Sequence, residues 1–505
     1  MTGIWTAQRM VDRPPRLTIR TWFGGDFMQL FLTSNRSAWR AYRPDASCGR
    51  LPANPTPRAE RRRGYIVLLG ISLLTIAGPR VFGEDKKPAA KASPPPTIKH
   101  RNARPAISAD GRVVVFESTS PNIVSGDSSG ARHIYAYDRI TKKITRVSVN
   151  DSGKPGDKQS FGASISSDGR YVAFISEATN LVEGDTNDKQ DVFVRDRKKG
   201  TTVRISVSNV GEQANADCHE VVITADGRIL AFSSISSTLD ENINNRSADI
   251  FLCDREARFV RRITRSQDGY EADHASGEPS ISANGRFVAF YSHATNITPK
   301  DTNLAPDIYL FDSLTGTTEL ISVASNRMIG NRDSRRPRVS GDGRFVVFES
   351  WADNFVVDDQ NETPDIFLRD RESKKTICVS TDVDGKPGND ESRDPRISDD
   401  GNFVVFTSYA SNLVADDTNN LPDIFVYDRK TRKTERVNLT DKREQAAGRS
   451  GEPALSGDGK WVAFASKASN LVEGDTNRSP DIFLVNRSAK KIIRISDPKN
   501  KKKSP

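Results

Sequence analysis

The sequence has few of the residues that usually carry chemistry. In 505 residues there are five histidines, four cysteines and four methionines. The histidines, His100, His133, His219, His274 and His293, are scattered, and none stands with a cysteine or a second histidine at metal-ligand spacing. His-Glu-x-x-His is absent, so no zinc-protease helix is encoded, and the one Gly-x-Ser-x-Gly match, Gly126 to Gly130, stands in a polar stretch with no helix pattern after it and so makes no nucleophile elbow. Cys48, Cys218, Cys253 and Cys378 form no CxxC pair, which argues against a disulfide or zinc framework. Cys253 stands in Phe-Leu-Cys-Asp-Arg, an apolar strand position, so buried free thiols are expected. No apolar stretch reaches the ~20 residues of a membrane helix, and no segment from residue 104 onward keeps a 3.6-residue apolar period.

Charge is unevenly placed. Residues 1–63 hold twelve Arg, no Lys and four acids, a net +8 of the chain's +9. The other 442 residues are close to neutral, so the basic balance does not imply a nucleic-acid partner. Arg61-Arg62-Arg63 precedes the apolar run Tyr65 to Ala77, and Val81-Phe82-Gly83 follows. That order is expected to be a secretory signal, with a membrane signal-anchor over residues 65–78 as the alternative. The expected layout is a leader or mis-assigned start at 1–60, the signal at 61–83, a Lys/Pro-rich linker at 84–100 and a basic tail at 498–505. Between them, 101–497 is one folded unit.

That unit is a repeat. An Asp-Gly or Asn-Gly turn begins at Asp110, Asp168, Asp226, Asn284, Asp342, Asp400 and Asp458, always 58 residues apart. A second series, Asp191, Asp249, Asp307, Asp365, Asp423 and Asp481, keeps the step, with His133 in the first copy. A third runs through Asp138, Asp196, Asp254, Asp312, Asp370, Asp428 and Asn486. A strict period of this length defines a repeat architecture.

Each copy carries strand signals only. In the second copy Ala163 to Ser166 leads into the Asp-Gly turn, a strong hairpin signal. Arg170 to Ser176 and Asp191 to Arg197 follow, then Val203 to Val207, all rich in β-branched and aromatic residues. A lone four-stranded sheet cannot hide two apolar faces, and each buried Phe or Val contributes roughly 1.5–3 kcal/mol. Seven such sheets therefore stack radially, and the expected fold is an all-β, seven-bladed propeller of four antiparallel strands per blade. Since the copies begin with a first strand and end with a fourth (Ile492 to Ser496), ring closure by packing alone is expected.

The unit Ser-x-Asp-Gly-Arg-x-Val-x-Phe, then Asp-Ile-Phe-x-x-Asp-Arg, resembles the WD-like propeller repeat of TolB-type proteins. Ser166, Asp168, Gly169 and Arg170 stand at the family's Ser-Pro-Asp-Gly-Lys turn. Val172-Ala173-Phe174 and Val192-Phe193-Val194 with Asp196 match its two central strands. The likeness covers nearly all of 104–496. TolB itself is similar to a six-bladed propeller behind a small α/β domain, so the resemblance implies the repeat and not TolB's role. The Ser-x-Asp-Gly-Arg motif is not the Asp-box of sialidases.

Repeats are lengthened at 177–190 and 208–220, between the second and third strands and before the next blade. Strand alternation puts both insertions on one face. Within the first, Gly-Asp-Thr-Asn-x-x-x-Asp offers two carboxylates and an amide. The sets are Asp185/Asn187/Asp191, Asp301/Asn303/Asp307, Asp359/Asn361/Asp365, Asp417/Asn419/Asp423 and Asp475/Asn477/Asp481. They are candidate calcium ligands, though calcium takes six to eight oxygens; the competing expectation is an Asx turn whose last Asp pairs with amides or an Arg. Copies one (Asp127, Ser129, His133) and three (Ile243, Asn245, Asp249) depart from the pattern. No other cofactor and no catalytic constellation is expected. The expected function is a monomeric exported scaffold binding an envelope or extracellular protein or glycan by its long-loop face. A propeller hydrolase or lyase with an axial site is the alternative.

Overall fold

A computed structural model describes residues 101–121, 123–124, 130–240, 245–357, 359–477 and 479–497. The leader, signal, linker and tail lie outside these, as do Cys48 and His100. The described residues form 28 strands and no helix. They make seven antiparallel four-stranded sheets, each built in sequence order from one contiguous repeat. The blades span residues 102–146, 160–204, 218–262, 276–320, 334–378, 392–436 and 450–494.

The recurring turn explains the period. In blade 2 the Ser166 hydroxyl donates to Asp168 Oδ1 and accepts from the Tyr171 amide, while Asp168 Oδ1 also takes the Arg170 amide. The glycine that follows must be a glycine for two reasons. Gly401 has φ +68°, and a Cβ there would stand 2.2 Å from the Phe345 ring of the preceding blade. The turn thus lets one blade's hairpin lie flat on the preceding blade's second strand.

The Asp-Arg pair of the third strand clamps the same junction. Asp196 takes a two-pronged bond from Arg170 at 3.0 and 2.7 Å. Burial works against its charge, but Arg170 and the Lys198 and Lys199 amides win, and its pKa falls to about 2. The arginine next in sequence reaches across. Arg371 donates to Gly343 O at 2.7 Å and lies 4.5 Å over the Phe287 ring of blade 4. Arg139, Arg255, Arg429 and Arg487 repeat this on Trp461, Tyr171, Phe345 and Phe403. Stacked rings brace each blade's centre, as in Phe174–Phe193 at 5.9 Å and Phe406–Phe425 at 6.0 Å.

Seven apolar clusters fill the seven junctions between neighbouring blades, the last joining Val114, Phe116 and Tyr135 of blade 1 to Ala463, Ile482 and Leu484 of blade 7. First strands of neighbouring blades touch all round the ring, which places them innermost, on the axis. Backbone bonds link successive blades there, from Ala109 N→Ser167 O through to Asp399 N→Gly457 O. At the seam between blades 7 and 1 side chains take over. Asn102 Nδ2 donates to Pro480 O and Asp481 Oδ1, and the Arg104 amide donates to Glu452 Oε2. Among the described residues no strand is exchanged between blades 1 and 7, and the seam is held by side-chain packing and these hydrogen bonds.

Three strands have other bounds than expected. The fourth strand is Thr201–Arg204 rather than 203–207, and the last is Lys491–Arg494 rather than 492–496. Ile205 still bonds Val192 O, but Val207 makes an isolated bridge to Gln213, so the chain has already turned into the next connection. The first strand is Ser160–Ile165, longer than 163–166, because a bulge between Phe161 and Ser164 hides its alternation.

Candidate functional site

Two faces result. The turn face, with its Asp-Gly and Asp-Arg residues, is occupied by contacts that assemble the ring. On the other face the two long connections pack together: Gln213 Nε2 donates to Gly184 O at 2.9 Å, and Asn187 Nδ2 to Ala214 O at 3.0 Å.

The second-strand-to-third-strand loops are built around the buried aspartate. Asp191 Oδ1 accepts from Ser206 Oγ, and Oδ2 accepts from Asn187 Nδ2 at 2.8 Å. Asn187 Oδ1 accepts the Lys189 amide, and Asn303, Asn361, Asn419 and Asn477 do the same two residues on. These are Asx turns. In blades 2, 6 and 7 a guanidinium lies at the carboxylate pair. Arg204 is 3.0 Å from Asp185, Arg436 2.9 Å from Asp417, and Arg494 2.8 Å from Asp475. Arg436 and Arg494 also reach Asp423 at 3.2 Å and Asp481 at 3.4 Å.

Blades 4 and 5 carry Leu320 and Cys378 at that arginine position. Their pairs lack the cation, and Tyr309 donates its hydroxyl to Asp301 instead. Burial foremost raises Asp307 to about 7, with the nearby Asp301 adding to it. Asp365 likewise rises to about 7, through burial and then Asp359. Calcium fits these loops poorly. The amide oxygens of the five triads are engaged by backbone, and among the described residues no three His, Cys, Asp or Glu side chains are grouped to hold a metal.

The sequence reading missed the arginines ending the fourth strands, and it missed the axis. The signal for both was the 58-residue step applied to every position. One residue per blade stands at the first-strand bulge: Arg104, Gly162, Glu220, Glu278, Arg336, Asp394 and Glu452, all with φ between 47 and 65°. Acidic members accept the bulge amide of the next blade: Glu220 from Glu278 N at 2.6 Å, Glu278 from Arg336 N at 2.7 Å, Glu452 from Arg104 N at 2.7 Å. Where the ring residue is arginine, a second-strand glutamate substitutes. Glu117 takes the Gly162 amide and Glu349 the Asp394 amide. Burial raises Glu117, Glu220 and Glu349 above the usual carboxylate range.

The histidines do not converge. His133 is buried against Ser148, His274 pairs with Asp273 at the loop face, and His293 lies edge-on to Tyr291. His219, expected in a loop, is the second residue of Cys218–Ile223. Cys218 and Cys253 are buried free thiols, pushed up to about 12 by burial, and Cys378 is free and half-buried.

What this geometry defines is a seven-bladed β-propeller whose repeated residues serve ring assembly. Solved structures share the fold. Oligogalacturonate lyase from Vibrio parahaemolyticus is 16% identical over 78% of this chain and 91% of that one, with a TM-score of 0.47. TolB from Acinetobacter baumannii is 15% identical over 79% of each chain, at 0.37. A prolyl endopeptidase is 11% identical over 78% of this chain and 49% of its own, at 0.51. At these identities the likeness is one of fold, and it spans both enzymes and TolB, so activity cannot be read from it. No family model and no curated protein matches the chain.

Proposed function

We propose that this chain is a non-catalytic binding scaffold that docks a protein partner on its long-loop face. One observation carries the reading. Large apolar side chains stand out from the long connections of consecutive blades: Val210 is 83% exposed, Tyr270 72%, Leu304 84%, Met328 50%, Val357 85% and Val383 84%. They fall along one arc, from the loop after blade 2 to the loop after blade 5. Exposed apolar groups concentrated on one face mark interaction sites rather than folding requirements. The raised axial carboxylates, which a catalytic reading would recruit, already accept neighbouring backbone amides. Export is part of the proposal and rests on the basic-then-apolar order of residues 61–83.

The test is affinity capture from envelope and secreted fractions with the wild-type chain and with Tyr270→Ser/Leu304→Asp/Met328→Ser/Val357→Asp. All four positions are exposed, so the variant is expected to fold. Loss of specific partners in the variant supports the scaffold. Identical captures by both, or turnover of a peptide or polysaccharide by the wild type, would overturn it.

A further inference from the structure

Two arginines at the axis stand outside the ring's ion pairs. At the position three residues beyond the start of each first strand's bulge, five blades have small or aliphatic residues: Ala106, Ser164, Val222, Ser280 and Ala454. Blades 5 and 6 have Arg338 and Arg396. Each guanidinium donates only to the carbonyl preceding it, Arg338 to Pro337 O at 2.6 Å and Arg396 to Pro395 O at 2.8 Å. Neither is in a salt bridge among the described residues, although nearly every other axial charge is. Arg336 bonds Glu349 at 3.0 Å and Asp394 at 3.2 Å, and Arg101 bonds Glu452 at 3.0 Å.

The two arginines meet residues from several blades at one place. Burial, then the charges of Arg338 and Arg336, bring Arg396 down to about 9 against the pull of Asp394 and Glu278. Burial lowers Arg338 also, while Glu278, Glu220 and Asp394 raise it. Their place at the axis follows from the strands that carry them: Arg338 and Arg396 hold the same position in the first strands of blades 5 and 6, which touch each other in the inner ring.

A mouth on the long-loop face ends two residues short of the pair on each strand, at Arg336 and Asp394, and neither Arg338 nor Arg396 lines it. A cavity of about 760 Å³ is lined by Arg101, Arg336, Arg393, Arg449, Asp394 and Tyr409, among others. It reaches Arg336 and Asp394, two of the residues whose charge acts on Arg396. Arg449 stands over the Tyr409 ring at 5.2 Å, so the mouth has both cations and an aromatic surface. Guanidiniums near carboxylates but in ion pair with none leave their forks open to a planar or tetrahedral oxyanion, because the fork geometry of Arg matches carboxylate and phosphate oxygens.

We propose that the axial channel binds a small oxyanion-bearing ligand, with its carboxylate or phosphate held between Arg338 and Arg396 and its body in the arginine-lined mouth. The site is separate from the apolar arc and does not depend on it.

The probes are inorganic phosphate and sodium glucuronate, one for each source of the oxyanion, added to the full chain at constant ionic strength against a chloride control. Calorimetry and thermal melting are read together. The wild type is expected to bind one probe or both and to melt higher in its presence. Arg338→Gln/Arg396→Gln is expected to lose binding at least tenfold and to show no rise, while melting close to wild type in chloride, since neither guanidinium is in an ion pair and glutamine can still donate to the neighbouring carbonyl. Arg396→Lys, which keeps the charge and loses the fork, is expected to fold normally and to bind more weakly. Lys199→Gln, exposed on the turn face, is expected to bind as wild type does. Phosphate alone, glucuronate alone or both identify the group recognised. Absence of any response in the wild type overturns the proposal. So does an undiminished response in the double variant or, should that variant fail to fold, in Arg396→Lys.

Discussion

Glu278 in blade 4 accepts a hydrogen bond of 2.7 Å from the backbone N–H of Arg336, the residue 58 positions later at the same bulge of blade 5. The bond joins two copies of one motif across the axis, and it satisfies an amide that the bulge takes out of its own ladder. A buried donor left without its acceptor costs about 1–3 kcal/mol. Glu278→Ala is therefore expected to lower unfolding free energy by about that amount, and Glu278→Gln, which keeps an acceptor, by less. Urea unfolding of the three chains measures both; equal stabilities would remove the bulge ring from the account of how blades are joined.

Gly401 and Gly385 separate two uses of glycine. Both have positive φ, +68° and +83°, but only Gly401 has a neighbour, the Phe345 ring, within contact of an added methyl. Gly385→Ala is expected to cost about 1 kcal/mol of backbone strain. Gly401→Ala carries that strain plus overpacking of typically 1–3 kcal/mol. Melting curves of the pair should separate by several degrees, with Gly401→Ala the lower.

Stability should fall as pH rises through the weakly acidic range. Asp307 and Asp365 have folded pKa values of about 7, set mainly by burial, against ~3.9 in the unfolded chain. Between those values the native state holds protons that the unfolded state has released. The contribution is therefore complete below about pH 4 and lost as pH climbs through about 7, on the order of 1–3 kcal/mol per residue. The Asp307→Asn/Asp365→Asn variant should lose less stability between pH 5 and pH 8 than wild type. Some dependence should remain, because Glu117, Glu220 and Glu349 are shifted in the same direction. Leu320→Arg tests the same point by addition: a guanidinium beside Asp307 should flatten the curve.

Calcium is expected to leave the melting temperature unchanged, and chelator likewise. In blades 2, 6 and 7 the loop carboxylates already face an arginine, and in all five triads the asparagine oxygen takes a backbone amide. A rise with calcium in Arg436→Leu but not in wild type would show that the arginine stands where the ion would.

What the sequence determined by itself was whatever one 58-residue unit contains. Blade number, strand order within a blade, the Ser-x-Asp-Gly turn and the Asx turns depend on neighbours a few residues apart, and each is repeated often enough to separate from noise. Asp168 can be read as a turn residue because its partners are Ser166 and Arg170. Tertiary structure decided the contacts between units and those between the far ends of one unit. Arg204 and Asp185 are distant in sequence and meet only once the fourth strand folds back beneath the loop. Whether a cation stands at the buried aspartate turns on one position, arginine in blades 2, 6 and 7 but Leu320 and Cys378 in blades 4 and 5. At the axis the difference is widest. Arg338, Arg396, Glu220 and Glu278 belong to four different repeats, and only the closure of the ring brings their charges into one channel, where low exposure lets them act on one another.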